Sequence, residues 1–184
     1  LHQGDWILIH SAGSGVSMAT IQLAKYVFGA GKIITTVGHA DKVERAKDLG
    51  ANLVIVRDPD QPVFSQEIRK LVKAHGLRGI PLVIDHLGAD TFRESLRCLA
   101  PGGRLVTCGS TTGSEVGLDL KLIFFKNLSI LGSTMGARDD LLRMVPLLES
   151  GQLPLPVIDS VFPFEGYREA QARLESRNAF GKVV

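Results

Sequence analysis

The sequence of 184 residues predicts an α/β domain built on a doubly wound parallel sheet of six strands, with helices on both faces. Three observations support this prediction. Strand-like runs alternate with helix-like runs along most of the chain. The strand-like runs are apolar throughout rather than at every second residue, which is typical of parallel strands that are covered on both faces. A turn of small residues separates the first strand from the first helix.

The first strand is predicted over Asp5–His10 and the first helix over Val16–Phe28, with the turn Ser11–Ser17 between them. Small residues in this turn allow the backbone to approach an anionic ligand closely. The free N–H groups and the dipole at the start of the helix favour negative charge. This layout is the one that holds the pyrophosphate of a dinucleotide.

The glycine pattern of such turns is only partly present. When G-x-G-x-x-G is placed with its last position at Ser17, the three glycine positions hold Ala12, Ser14 and Ser17. Gly13 and Gly15 lie beside them. Taken alone, the turn is also compatible with an ordinary strand-to-helix connection.

The later elements follow from apolar runs, helical spacing and Gly or Pro stops. Further strands are predicted at Lys32–Val37, Asn52–Val56, Pro81–Asp85, Arg104–Cys108 and Leu128–Gly132. Helices are predicted at Asp41–Leu49, Phe64–His75, Thr91–Leu99 (closed by Pro101–Gly103), Leu120–Phe125 and Arg138–Ser150, with a loop at Asp58–Pro62. Because Pro146 lies inside the last of these helices, a kink or a split is expected there.

The pattern changes after Leu153. A strand is predicted over Val157–Phe164 and a helix over Tyr167–Leu174, followed by the segment Gly181–Val184. This tail either flanks the main sheet or returns to another domain.

In doubly wound sheets, ligands bind at the carboxyl ends of the strands, near the point where the strand order reverses. This rule selects five stretches that are mostly rich in Gly, Ser and Thr: His10–Val16, Val37–His39, Asp85–Gly88, Gly109–Thr112 and Gly132–Thr134.

The composition is that of an ordinary globular chain, with 45% hydrophobic and 22% charged residues. A net charge of +2 without a Lys/Arg run argues against nucleic-acid binding, and no apolar run is long enough to span a membrane. The two cysteines, Cys98 and Cys108, are too few for a disulfide framework or a zinc site, and they favour a reducing, cytoplasmic setting. The five histidines are scattered, so no metal site is predicted in this chain.

The order of motifs resembles the coenzyme-binding half of the medium-chain dehydrogenase/reductase superfamily, in its branch of zinc-type alcohol dehydrogenases and quinone oxidoreductases. The resemblance covers the whole chain. The matching segments are Gly4–Asp5, Ala12–Ser17, Ile21–Lys25, Ala46–Ala51, Asp85–Gly88, Leu99–Arg104, Ile130–Ser133 and Gly181–Val184.

The resemblance implies a Rossmann domain over residues 1–152 and a C-terminal segment over residues 153–184 that is related to a GroES-like catalytic domain. In the family that domain precedes the present segment and holds any catalytic zinc. A start at Leu1, without Met and just before a strand, is expected of an excerpt of a longer protein.

The resemblance also implies which residues contact the coenzyme. Ser14, Gly15 and Val16 would cradle the pyrophosphate. His86 and Leu87 would pass beside the adenosine, its ribose or the linking phosphates. Gly109, Ser110, Leu131 and Gly132 would line the nicotinamide, and Lys182 is a weaker candidate for the phosphates.

The second strand ends without the acidic residue that bonds the ribose 2′-hydroxyl in enzymes that choose NAD. The position holds Val37, followed by Gly38 and His39, and Lys42 and Arg57 fall near the family's 2′-phosphate contacts. NADP(H) is therefore predicted over NAD(H), and the alternative is that Lys42 and Arg57 are solvated surface charges.

Three functions remain open at this stage. The chain is the coenzyme domain of an oxidoreductase that transfers hydride to or from an alcohol, carbonyl or quinone substrate, or it is a nucleotide-binding module without catalysis. A methyltransferase is disfavoured because Val37 stands where an acidic residue would bind the ribose hydroxyls. By resemblance, a homodimer is expected to form through the edge of the sixth strand, Leu128–Leu131, because a bare apolar edge invites pairing.

Overall fold

The computed structural model describes residues 1–57 and 63–184, and the predicted loop Asp58–Pro62 lies outside these residues. The main sheet contains six strands, all parallel to their neighbours, in the spatial order β3-β2-β1-β4-β5-β6. The predicted doubly wound sheet is thereby confirmed. Its strands are β1 (Trp6–Ile9), β2 (Lys32–Val37), β3 (Leu53–Val56), β4 (Ile80–Ile84), β5 (Leu99–Thr107) and β6 (Ser129–Gly132).

The described chain also contains seven α-helices and two short 3-10 turns. The helices are α1 (Gly15–Tyr26), α2 (Val43–Leu49), α3 (Ser65–Ala74), α4 (Phe92–Cys98), α5 (Leu120–Lys126), α6 (Arg138–Glu149) and α7 (Tyr167–Glu175). The 3-10 turns lie at Ala40–Lys42 and Phe164–Gly166. None of the described helices combines the length and the apolar character needed to cross a membrane.

Both faces of the sheet are covered, as the continuous apolar strands predict. Along β1, Leu8 contributes to one buried cluster, together with residues of α3 and α4. Its neighbours Ile7 and Ile9 point to the other face and pack with residues of α1 and α2. The strand order reverses between β1 and β4, so the crevice beyond these two strands is where a ligand is expected.

The fifth strand begins earlier than predicted. The predicted helix over Thr91–Leu99 ends at Cys98, and Leu99 is already extended at the start of β5. The segment Pro101–Gly103 is therefore part of a strand rather than a helix stop. Leu99 pairs with Ile80, after which the register shifts, so the Pro-Gly-Gly segment forms an irregularity within the ladder.

The tail forms a second, two-stranded parallel sheet of β7 (Ile158–Ser160) and β8 (Lys182–Val183). The prediction of a strand over Val157–Phe164 was wrong in length, because β7 pairs only with the two-residue β8 and a 3-10 turn starts at Phe164. Of the kink or split predicted at Pro146, the split is absent, since α6 continues from Arg138 to Glu149, and the kink stays a prediction. The proposed domain boundary after residue 152 stays a prediction.

Candidate coenzyme-binding site

The loop after β1 turns sharply before α1. Ser11 adopts a left-handed backbone conformation with φ of 59°, which is uncommon for a residue other than Gly, Asn or Asp. Its carbonyl accepts a hydrogen bond from the N–H of Ser14, at 2.9 Å. Ser14 caps α1, because its hydroxyl accepts from the N–H of Ser17 at 3.2 Å. The positive end of α1 therefore begins directly after a tight turn.

The tail crosses this loop and adds a cation to it. The N–H of Gly181 donates to the carbonyl of Gly13, at 3.1 Å. A Cβ placed on Gly15 would lie 2.6 Å from Nζ of Lys182. The ammonium of Lys182 and the start of α1 thus face the same small space, which a side chain at position 15 would fill. This space fits the pyrophosphate of a dinucleotide.

His86 is buried on the inner side of the loop, away from the open space where a ligand would bind. Its Nε2 is 2.8 Å from the hydroxyl of Ser17 and 3.1 Å from that of Ser14. The same nitrogen is 3.2 Å from the carbonyl oxygen of His10. Its buried imidazole therefore supports the start of α1 from below.

A large cavity of about 800 Å³ opens beside the loop, and we call it the large cavity. Its wall includes seven of the predicted coenzyme-contact residues: Ser14, Gly15, Gly38, His39, Lys42, Arg57 and Leu87. Among the residues that the structure describes, no Asp or Glu lines it. Its basic residues are His39, Lys42, Arg57, Arg177 and Lys182. A wall with this charge favours a polyanionic ligand.

Two of these basic side chains already have partners. Nζ of Lys42 donates to the carbonyls of Arg177 and Ala179 and so holds the tail against the 3-10 turn. Partial burial lowers the pKa of Lys42. The guanidinium of Arg57 lies 3.9 Å from the exposed carboxylate of Asp90. Since Asp90 is solvated, this pair does not by itself keep Arg57 from binding a phosphate.

A small cavity of about 620 Å³ lies beyond the ends of β5 and β6, and we call it the small cavity. Its wall includes Gly109, Ser110 and Gly132, three of the residues predicted near the nicotinamide. Leu131 is exposed and lies outside both linings, as does Val16 near the start of α1. The structure therefore places most of the predicted contacts along one edge of the sheet.

Sequence analysis missed a buried polar network beneath these cavities. His10 is fully buried, with Nε2 at 2.8 Å from the hydroxyl of Ser95. That hydroxyl donates to Asp85 Oδ2 at 2.7 Å. Asp85 Oδ1 accepts from the N–H groups of Leu87 and Gly88, at 3.0 and 3.1 Å. A His and an Asp at the ends of apolar strands are the only sequence signal of this network.

Burial lowers the pKa of His10 from 6.5 to about 4, against the opposing attraction of Asp85 and with smaller lowering contributions from Arg57 and His86. The unfolded chain therefore binds a proton that the folded protein excludes. This contribution to stability is complete above about pH 6.5 and is lost as the pH falls toward 4.

We expect the free energy of unfolding to fall by about 2–3 kcal/mol from this group alone between pH 7 and pH 4. Denaturant titrations at several pH values measure it. In His10→Asn the part of the pH dependence due to His10 disappears, while contributions from other acids remain. If the free energy of unfolding depends on pH equally in the two proteins between pH 7 and pH 4, His10 is not the group responsible.

No three His, Cys, Asp or Glu residues converge on a possible metal position within residues 1–57 and 63–184. The donors in these residues therefore do not fit a zinc site.

The fold and the loop geometry define a Rossmann-type dinucleotide-binding domain. Comparison with known proteins agrees, because the family model described as zinc-binding dehydrogenase matches residues 15–150. The chain belongs to this family, and it corresponds to the coenzyme-binding domain of the medium-chain dehydrogenase/reductase superfamily.

Several relatives are named as reductases or dehydrogenases. An acryloyl-coenzyme A reductase from Sulfurisphaera tokodaii is 32% identical over all of this chain and 51% of its own length. The crystal structure of an NAD-dependent alcohol dehydrogenase matches with a TM-score of 0.86 and 40% identity, over 99% of this chain and 51% of that one. The structure of the 2-octenoyl-CoA carboxylase reductase CinF in complex with NADP and 2-octenoyl-CoA matches with a TM-score of 0.87 and 31% identity. The match covers 100% of this chain and 43% of that one.

Other relatives are quinone oxidoreductase-like proteins from mammals. The chain spans about half the length of the relatives it matches.

Proposed function

We propose that this chain binds NADP(H) in preference to NAD(H), with the pyrophosphate over the start of α1. The observation that carries the proposal is the wall of the large cavity, which among residues 1–57 and 63–184 contains five basic side chains and no carboxylate. An enzyme selective for NAD places an acidic residue at the end of β2, where it would repel a 2′-phosphate. Here that end is Val37, Gly38 and His39.

Arg57 is the proposed partner of the 2′-phosphate. It follows the end of β3, next to β2 in the sheet, and lines the large cavity. Lys42 contributes less directly, because its ammonium is bonded to carbonyls of the tail. A guanidinium can form two parallel bonds to a phosphate, which adds to its selectivity.

Replacing Arg57 by Gln is expected to raise the Kd for NADPH about tenfold or more, since a charge-assisted bond contributes roughly 1.5–3 kcal/mol. The Kd for NADH should change little, because NADH lacks the 2′-phosphate. Titration of the intact protein, followed by coenzyme fluorescence or calorimetry, measures both values.

The matched control is Arg93→Gln, which removes the same charge from an exposed position on α4 outside both cavities. It should leave both Kd values unchanged. Tighter binding of NADH than NADPH by the unaltered protein would refute the preference, and equal losses for both coenzymes in Arg57→Gln would refute the role of Arg57.

We further propose that the intact protein transfers hydride between the nicotinamide and an alcohol, carbonyl, quinone or enoyl-CoA substrate. The coenzyme supplies the hydride chemistry when bound. Residues of this chain orient it: the loop and Lys182 hold the phosphates, and Gly109, Ser110 and Gly132 offer a small-residue wall for the ring. The substrate-activating groups belong to the rest of the protein.

The test is the change in nicotinamide absorbance when the intact protein is mixed with NADPH and a member of each substrate class. Turnover with one of them supports the enzyme. Tight coenzyme binding without turnover of any class would favour the alternative, a non-catalytic nucleotide-binding module. The free thiols Cys98 and Cys108 support a reducing, cytoplasmic location for either function.

A homodimer through the edge of β6 is also proposed. This strand is the last in the sheet, and its apolar residues Ile130 and Leu131 are partly exposed. A charge at this edge, as in Ile130→Lys, should shift the intact protein from dimer to monomer, as measured by light scattering. The control Val63→Lys places the same charge at an exposed apolar position outside the sheet and should leave the dimer intact. A monomer in the unaltered protein would contradict the dimer.

A further inference from the structure

A continuous chain of buried hydrogen bonds crosses three neighbouring strands just below the two cavities. It begins at the N–H of Ser11, which donates to the hydroxyl of Thr36 in β2, at 3.0 Å. That hydroxyl is 3.3 Å from Nδ1 of His10, which follows β1. His10 Nε2 contacts Ser95 of α4, and Ser95 donates to Asp85 after β4.

Each end of this chain reaches a cavity wall. At one end, Ser11 lines the large cavity. Its left-handed conformation starts the loop between β1 and α1, which we call the phosphate loop. At the other end, the carboxylate of Asp85 accepts from the N–H groups of Leu87 and Gly88. Leu87 lines the large cavity and Gly88 lines the small cavity.

The order of the partners fixes where every proton lies. The carboxylate of Asp85 can only accept hydrogen bonds, so the hydroxyl of Ser95 donates its one proton to it. Ser95 must then accept from His10, which places a proton on Nε2. A neutral imidazole has no second proton, so Nδ1 accepts from Thr36, whose oxygen in turn accepts from the N–H of Ser11.

We infer that His10 is a positioning residue for coenzyme binding, acting as a neutral imidazole protonated on Nε2 that couples the phosphate loop to the turn after β4. This inference rests on the proposed coenzyme function. His10 does not touch the coenzyme; it sets two segments that do. Because the hydrogen bonds from Ser11 to Asp85 share one direction, interrupting this series at either end releases the same coupling between the cavity walls.

The experiment interrupts the series of hydrogen bonds near each end, in the intact protein. The substitutions conserve or reduce side-chain volume. Thr36→Val removes the hydroxyl between Ser11 and His10, and Ser95→Ala removes the one between His10 and Asp85. Each is expected to raise the Kd for NADPH about fivefold. The double variant should lose little more than the larger single loss, because the two changes disrupt one coupled unit.

A second readout does not depend on affinity. With ¹⁵N-labelled histidine, long-range ¹H–¹⁵N correlation spectra should show the proton of His10 on Nε2, and in Ser95→Ala that pattern should change. A matched control for stability is Ile68→Val, a buried change on α3 outside the network. It should lower the melting temperature without altering the Kd.

The outcomes separate this inference from the proposed function. If the unaltered protein binds neither NADPH nor NADH, the proposed function fails. If it binds coenzyme, the inference is overturned when the two single losses multiply in the double variant, when the Kd values stay unchanged, or when the proton lies on Nδ1.

Discussion

Replacing Phe180 by Ala will lower the free energy of unfolding by about 3–5 kcal/mol, the range for removing a large buried aromatic ring. Phe180 is only 1% exposed, and it packs in the cluster on the α1 side of the sheet. Its ring also lies against Gly13 of the loop, where an added Cβ would come within 3.0 Å of it. Removing the ring should therefore disturb the loop at the candidate coenzyme site as well as the hydrophobic core.

The coenzyme should bind more weakly for the same reason. Two residues after Phe180, Lys182 is held over Gly15, and loosening the tail moves its ammonium away from the phosphates. Chemical denaturation and NADPH titration measure the two effects. The control Phe28→Ala removes the same ring from a half-exposed position after α1 and should cost roughly half as much or less. Equal losses in the two variants would contradict this account of the tail.

Replacing Gly88 by Ala will also lower the free energy of unfolding, by about 3 kcal/mol or more. Gly88 has φ of +92°, a conformation that residues with a Cβ rarely adopt. The added Cβ would lie 2.3 Å from the carbonyl oxygen of Gly113. Backbone must move to relieve this clash, and the N–H of Gly88 would then shift away from Asp85.

The control for this position is Gly117→Ala, where an added Cβ meets no atom within 4 Å. It should change stability by less than about 0.5 kcal/mol. Thermal or denaturant unfolding of the intact protein compares the two. A Gly88→Ala protein as stable as the control would mean that the turn after β4 tolerates a different conformation.

The sheet was predictable because its strands are continuous apolar runs with clear stops. The second strand was predicted at Lys32–Val37 and is found there. The start of β5 was not predictable in this way, because Pro101, Gly102 and Gly103 are normally stops, and only pairing with β4 makes the segment extended. Local pattern cannot reveal a partner strand.

The candidate site was predictable only as an edge of the sheet. Small residues after β1, β5 and β6 pointed to it because ligands of such sheets bind at the strand ends. The burial of His86 under the loop and the bonds that occupy Lys42 depend on segments far away in sequence. The hydrogen-bonded series through His10 joins residues from position 10 to position 95, so no local motif could have indicated it.

The crossing of Gly13 by Gly181 also has a consequence for biosynthesis. The phosphate loop is made among the first residues of this sequence, and its cationic partner, Lys182, is made about 170 residues later. A nascent chain can complete the sheet on the ribosome and still lack the last wall of its nucleotide pocket. The cationic side of the pocket is therefore complete only after the tail has emerged and docked against the loop.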